Sequence, residues 1–295
     1  MVSAVRKGTF FRRLSRRWDP LVGIDIARDA ITVSVPVRTE DSPVSDVVVH
    51  VLPGSGEGPT KASNIAAMLR GVLPKHIWRC AIALEPSEIL LSSLAKRSGA
   101  DGWAEKGLDK KEDSLPFDSY GYLTRILEME ARYVLAIRNS RLRRYWSVAR
   151  HAGLDVDALT QRSFSIGMGL EALGVFSRDR KGALVELSTS STHFSLYSCG
   201  FPLEIDTRLD CSVDDVARYL ISRIEGLSLA EMPCGVLGGT EELRTMFRGT
   251  IETSSSIRCV DVDCLMRSRV IGAAESRDHS FGSGALSSFG LCCIE

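Results

Sequence analysis

The chain has 295 residues, 44% of them hydrophobic and 25% charged, and its formal net charge is zero. That length covers one large domain or two moderate ones with a real core. The charge balance supplies no global field toward nucleic acid, and no apolar run approaches the ~20 residues of a membrane-spanning helix. The N-terminal stretch has no apolar core followed by a small-residue cleavage site, so it does not read as a secretory signal and the chain is expected in the cytosol. None of the eight cysteines forms a CxxC pair. Their irregular spacing points to small buried hydrophobes rather than a metal site.

Residues 1–20 form a basic leader, with Arg6, Lys7, Arg12, Arg13, Arg16 and Arg17 among Phe10, Phe11, Leu14 and Trp18 at helical spacing. Such a segment either packs an aromatic on the first domain or docks on a partner or an anionic membrane surface. Strands are predicted at Leu21–Ile26, Ala30–Val37 and 46–52. A Gly- and Pro-rich loop over 53–59 follows, then a helix opening at Ser63-Asn64 and a strand at 80–84. Three strands, a helix and a strand make a mixed sheet with one helical crossover.

Between Glu85 and Asp155 the texture changes. Residues 87–97 read as a short amphipathic helix and 101–113 as a charged, solvated stretch. Strands are expected at Tyr120–Ile126 and 133–137. A helix over Asn139–Ala152 carries Arg141, Arg143, Arg144 and Arg150, a charge run that is more commonly a solvated face than a binding surface. Gly153 is a good helix stop.

A strand at 154–159 and a helix at 163–173 lead to a second hairpin at 182–197. Then come a strand at 203–209, a helix from Ser212 to Ile224 with Asp214 and Asp215 in its first turn, and a short strand at 235–237. That strand meets Gly238-Gly239-Thr240, where another helix opens and runs to Phe247. A last strand is expected at 257–262, followed by a small-residue stretch at 280–288.

The second hairpin echoes the first. Each is an apolar strand ending at an acid, Asp25 or Glu186, then a small polar turn and a second strand. Internal repetition points to a duplicated architecture. A carboxylate beside a tight turn can face a phosphate–metal group held by the turn's N–H donors. The candidate ligand-binding residues are therefore Asp25, Ala27 and Arg28 at the first tip, Glu186, Ser188 and Thr189 at the second, and Gly238 and Gly239 at the third turn. Each has a plainer alternative. A buried aspartate needs a partner or a solvated cleft, hydroxyl clusters are common in hairpins, and Gly-Gly is a generic strand-to-helix turn. No carboxylate or histidine stands out as a base for an attacking water, so no catalytic residue is assigned, and no metal ligand.

These residues, in order, resemble the actin-like ATPase superfamily and within it the FtsA/PilM branch. The segment 22–35 resembles the opening of PilM, the cytoplasmic actin-like protein of type IV pilus assembly, and 113–118 its "Pro-Phe" segment. The passage from Tyr133 to Val156 resembles its strand–helix–"AGL" stretch. Residues 183–206 resemble its second phosphate hairpin, 235–240 its adenosine turn and 284–291 its terminal tail. The resemblance implies an α/β fold of duplicated actin-like, ribonuclease H-like halves with an inserted α+β subdomain. It places subdomain 1A at 21–84, the inserted subdomain at 85–153, and subdomain 2A at 154–295, with subdomain 2B reduced to a helix at 212–226.

The resemblance also implies a ligand, ATP with magnesium, in the cleft between the halves. Ala27 and Ser188 stand where the branch has glycine, Glu186 replaces aspartate, and Arg28 and Asp29 add bulk and charge, so the expected state is a degenerate site rather than an active ATPase. The implied role is an adaptor at the cytoplasmic face of the inner membrane. It would hold the cytoplasmic tail of a PilN-like inner-membrane protein, of basic or mixed charge, near the assembly motor ATPases, with peripheral membrane association through the leader. A groove beside the inserted subdomain, with Asn139–Arg150 and the Tyr120–Ile126 edge as its candidate borders, would take the tail. The alternatives are an active actin-like ATPase or small-molecule kinase, and a type II secretion component of the GspL kind.

Overall fold

The structure is a computed structural model that describes residues 21–27, 30–37, 46–54, 62–85, 89–95, 120–126, 131–177, 181–188, 191–198, 201–209, 212–226, 232–271 and 281–293. The leader, Arg28 and Thr189 lie outside these residues.

The first sheet is built from β1 (Leu21–Ile26), β2 (Ala30–Val37), β3 (Asp46–Pro53), β4 (Arg79–Leu84) and β8 (Asp155–Gln161), in the order β3-β2-β1-β4-β8. β1 to β3 form an antiparallel meander, and β4 and β8 add in parallel. The second sheet repeats this plan with β9 (Lys181–Leu187), β10 (Ser191–Ser198), β11 (Phe201–Leu209), β12 (Cys234–Gly238) and β13 (Cys259–Asp261), in the order β11-β10-β9-β12-β13. The apolar runs explain the central strands: every residue of β1, β4 and β12 is buried. Continuous apolar runs of this kind suit strands covered on both faces.

Helices fill the same places in both halves. α1 (Ala62–Val72) and α2 (Asn139–Ala152) pack Ile65, Leu69, Tyr145, Val148 and Ala149 against the first sheet. α4 (Val213–Gly226) and α5 (Glu241–Ser254) pack Val216, Leu220, Ile224, Phe247 and Ile251 against the second. α3 (Arg162–Ala172), α6 (Val262–Arg269) and α7 (Gly282–Cys292) lie between the halves, where Ile166, Leu170, Leu184, Leu237, Met266, Leu286 and Phe289 form a third core.

Two predicted assignments change. β8 pairs with β4 and α2 packs on α1, so the first sheet's own elements run on to Gln161 rather than stopping at residue 84. α4 lies between β11 and β12, as α1 lies between β3 and β4. Residues 89–95 are a strand, β5 (Ile89–Ala95), rather than a helix. β5 pairs with β7 (Ala131–Arg138), which also pairs with β6 (Tyr120–Ile126), in a separate three-stranded sheet. A short apolar run such as Ile-Leu-Leu carries too little periodicity to choose between helix and strand, and the neighbouring strand decides it.

The two halves are joined by close backbone approach. A Cβ on Gly23 of β1 would lie 1.8 Å from the Ser288 carbonyl oxygen of α7, and one on Gly290 of α7 would lie 2.0 Å from the Ser165 carbonyl oxygen of α3. Hydroxyl pairs bond across these contacts, Ser34 with Ser288 at 2.7 Å and Ser165 with Ser287 at 2.6 Å. The segment after α6 returns to the first sheet, where Ile271 N–H donates to the Val47 carbonyl at 2.9 Å.

Candidate functional site

Asp25 is the one acid in the apolar β1, two residues before the first hairpin tip, and its side chain is 2% exposed. A carboxylate there needs a partner. The partner is Arg162, the first residue of α3, whose Nε and Nη2 reach the two Asp25 oxygens at 2.8 and 2.5 Å. This fork geometry is the strong form of a charge-assisted bond. Burial pushes the Asp25 carboxyl above the usual carboxylate range, against the pull of Arg162. Desolvation opposes the charge on Arg162, but the fields of Asp25, Glu85 and Glu186 outweigh it and hold the guanidinium charged.

Glu186 occupies the matching place in the second half. Asp25 pairs across its hairpin with Thr32, and Glu186 across its own with His193. Glu186 is half-buried, and its Oε1 accepts the Ser283 N–H in the first turn of α7 at 3.3 Å. A helix N-terminus favours a negative group at this position. The same turn approaches Asp25: a Cβ on Gly284 would lie 2.8 Å from Thr32 Oγ1 and 3.9 Å from Asp25 Oδ1. The start of α7 thus lies beside both tip carboxylates.

The third turn is held from behind. Gly238 and Gly239 have φ of 81° and 63°, the left-handed region, and a Cβ on Gly238 would lie 2.4 Å from the Leu187 carbonyl oxygen. Gly238 N–H donates to Asp263 Oδ2 at 2.8 Å, and Phe281 N–H to Asp263 Oδ1 at 2.7 Å. Arg244, 2% exposed, donates to the Gly238 and Gly239 carbonyls and pairs with Asp261 and Asp263. Burial raises the Asp263 carboxyl, while the two backbone N–H bonds and Arg244 pull it down.

The structure brings Asp25 and Glu186 to one region through Arg162 and α7, and sets Gly238 beside the end of β9. Ala27 is buried and its N–H donates to the Ala30 carbonyl at 2.9 Å. Ser188 is exposed and bonded into its own turn: its N–H donates to the Ser191 carbonyl at 3.0 Å and its hydroxyl to the same oxygen at 2.8 Å. Sequence reasoning missed Arg162, Arg244 and Asp263. Among the described residues, no group of three or more His, Cys, Asp or Glu is placed to hold a metal ion. Both Asp25 oxygens face the Arg162 guanidinium, and the Ala27 and Ser188 N–H donors bond within their own hairpins.

No family model and no curated protein matches the sequence. Solved structures do match. A chain of the PilM–PilN type IV pilus biogenesis complex superposes with a TM-score of 0.59 at 16% identity, over 92% of this chain and 97% of that one. A Bacteroides thetaiotaomicron protein described as having an actin-like ATPase fold superposes with a TM-score of 0.52 at 9% identity, over 94% and 96%. The chain has the actin-like ATPase fold. Asp25 and Glu186 stand at matching places in the two hairpins, and Gly238-Gly239 follows the fourth strand of the second half.

Proposed function

We propose that this actin-like chain is an adaptor of a type IV pilus or related secretion assembly platform, and that it holds the cytoplasmic tail of a PilN-like inner-membrane protein. The observation that carries the reading is the match to a chain of the PilM–PilN complex over 92% of this chain and 97% of that one. The cleft supports an adaptor over an ATPase, because its central acid is committed to Arg162. In this reading the protein sits at the cytoplasmic face of the inner membrane, beside the assembly motor ATPases. Among the described residues no helix is long and apolar enough to cross a membrane.

The surface best suited to the tail is α2, which follows β7 of the small sheet without a loop. Arg143, Trp146 and Arg150 share one exposed stripe at helical spacing, with Trp146 53% exposed. α2 contains four arginines and no acid. This face therefore favours an acidic tail segment with an apolar anchor, in place of the basic or mixed tail expected from sequence.

The test is a titration of this protein with tail peptides from the inner-membrane proteins encoded beside it. One tail should bind. Reversing Arg143 and Arg150 to Glu should weaken that binding by roughly tenfold or more, since juxtaposed like charges cost several kcal/mol. Failure of every such tail to bind would overturn the adaptor reading.

A further inference from the structure

The second sheet ends in a short strand, β13, whose neighbour among the described strands is β12. The Arg258 carbonyl accepts the Cys234 N–H at 2.9 Å. Alternate residues of a parallel ladder face the same neighbour, so Arg258 and Val260 turn their backbone groups to β12, and Cys259 and Asp261 turn theirs the other way. Among the described residues nothing bonds the Cys259 N–H, the Cys259 carbonyl or the Asp261 N–H. Such a row is a template for an added strand. Cys259 packs with Phe247 and Ile251 of α5, and Val260 with Leu265 and Met266 of α6, so the two helices stand on opposite faces of the strand. An open pocket of about 430 Å³ lies along this edge, lined by Arg248 and Glu252 of α5, by Arg258 and Cys259, and by Cys264 and Leu265 of α6. Asp261 is already committed: Oδ2 accepts from Arg244 Nε at 3.1 Å and Oδ1 from the Cys264 N–H at 2.9 Å. Among the described residues neither Arg248 nor Arg258 has a carboxylate partner, and Arg248 Nε is buried with no acceptor. A buried donor left unpaired is costly, and an occupant that brings an acceptor removes that cost. Glu252 is exposed, one acid against two arginines.

We propose that the β13 edge is a second docking site, which takes an extended acidic segment of a partner protein as an added strand. The backbone of that segment bonds Cys259 and Asp261. One of its carboxylates forks onto Arg248, with Arg258 beside it. Charge selects this occupant. A basic segment meets the two unpaired arginines, and a second copy of this chain, paired edge to edge, sets the same arginines against each other. The inference does not rest on the tail-binding reading, because α2 packs on the first sheet and this pocket lies on the second. Loss of either would leave the other standing.

The experiment uses the full chain and, as probe, a blocked peptide of about eight residues that alternates glutamate with valine or threonine, long enough to run past the strand at both ends. Cys264 is exposed in the pocket and serves as reporter. Its alkylation by N-ethylmaleimide, followed by peptide mapping in a mass spectrometer, should slow as the peptide is added. The same peptide with glutamine for glutamate should bind roughly tenfold more weakly or worse, the usual worth of a hydrogen bond to a charged group. The Arg248→Gln, Arg258→Gln double variant should keep the native melting temperature and bind both peptides equally weakly. N-methylation of alternate peptide nitrogens should abolish binding, and free glutarate should not protect Cys264. Arg143→Glu with Arg150→Glu on α2 should leave the protection unchanged. No protection by the acidic peptide would overturn the proposal, and so would binding that survives the double variant. Equal protection by the N-methylated peptide or by glutarate would reduce the pocket to a plain anion site and overturn the added strand.

Discussion

Asp25 and Glu186 hold equivalent places in two sheets of identical strand order, yet their surroundings differ. In the first half the helix after the fifth strand begins with Arg162, which reaches back to the strand-end acid. In the second half the corresponding helix carries Asp263 in its first turn, and that acid reaches the Gly238 N–H and Arg244 instead. The first turn of the same helix thus supplies a cation in one half and an anion in the other. Duplication preserves the strand ladder, because main-chain pairing and apolar burial are indifferent to which polar group stands at the strand ends. The polar group at each helix start is free to diverge, and it sets what the cleft can bind.

That contrast can be broken from either side. The largest effect is expected at Arg244, since Arg244→Met strands Asp261 and Asp263 together; breaking a buried pair by removing one partner costs roughly 3–5 kcal/mol. Arg162→Met should cost less, because Asp25 is already pushed toward its neutral form by burial. Urea unfolding of both variants ranks them, and a reversed order would show that the second half's network is the weaker one. In a double-mutant cycle, Arg162→Met combined with Asp25→Asn should recover most of the single-variant loss.

A smaller effect comes from the helix pair common to both halves. Gly290→Ala would set a methyl group 2.0 Å from the Ser165 carbonyl oxygen, so α3 and α7 must part. Overpacking of this kind costs about 1–3 kcal/mol, read as a lowered melting temperature. An unchanged melting temperature would mean that the two helices are not so closely joined.

The smallest effect is a pH slope. Burial raises the Asp25 carboxyl, so the folded chain keeps that proton to higher pH than the unfolded chain does. The stability this contributes is complete below the ordinary carboxylate range and is lost as pH rises through the raised value. Asp25→Asn cannot titrate, so its melting temperature should gain on the native protein's between acid and neutral pH. A difference that stays flat, or falls, would place the folded-state value at or below the ordinary one.

The strands were legible from apolar runs in β1 and β4 and from alternation in β2, and β1, β2, β4 and β6 fall within a residue of their predicted bounds. The α2 stop at Gly153 was legible from composition, and Gly153 has the left-handed φ of 77°. β5 was not, because its strand identity comes from β7, far along the chain. α7 was also missed. It is buried nearly all round, so it gives no one-sided apolar stripe, and α3 and β1 approach it closely at Gly290 and Ser288. Asp25 announced a need for a partner, but Arg162 is 137 residues away and nothing local distinguishes it from a solvated arginine. Arg244 did leave a signal. It lies on the same helical face as Phe247 and Ile251, where a charged residue has to be paired.

The most direct test of the account is a crystal structure grown in magnesium and ATP. The account predicts Arg162 still forked onto both oxygens of Asp25, with the Ser283 N–H still on Glu186 and no metal between them. A magnesium ion at Asp25, with phosphates lying between the tips at Ala27 and Ser188 and Arg162 displaced, would contradict it.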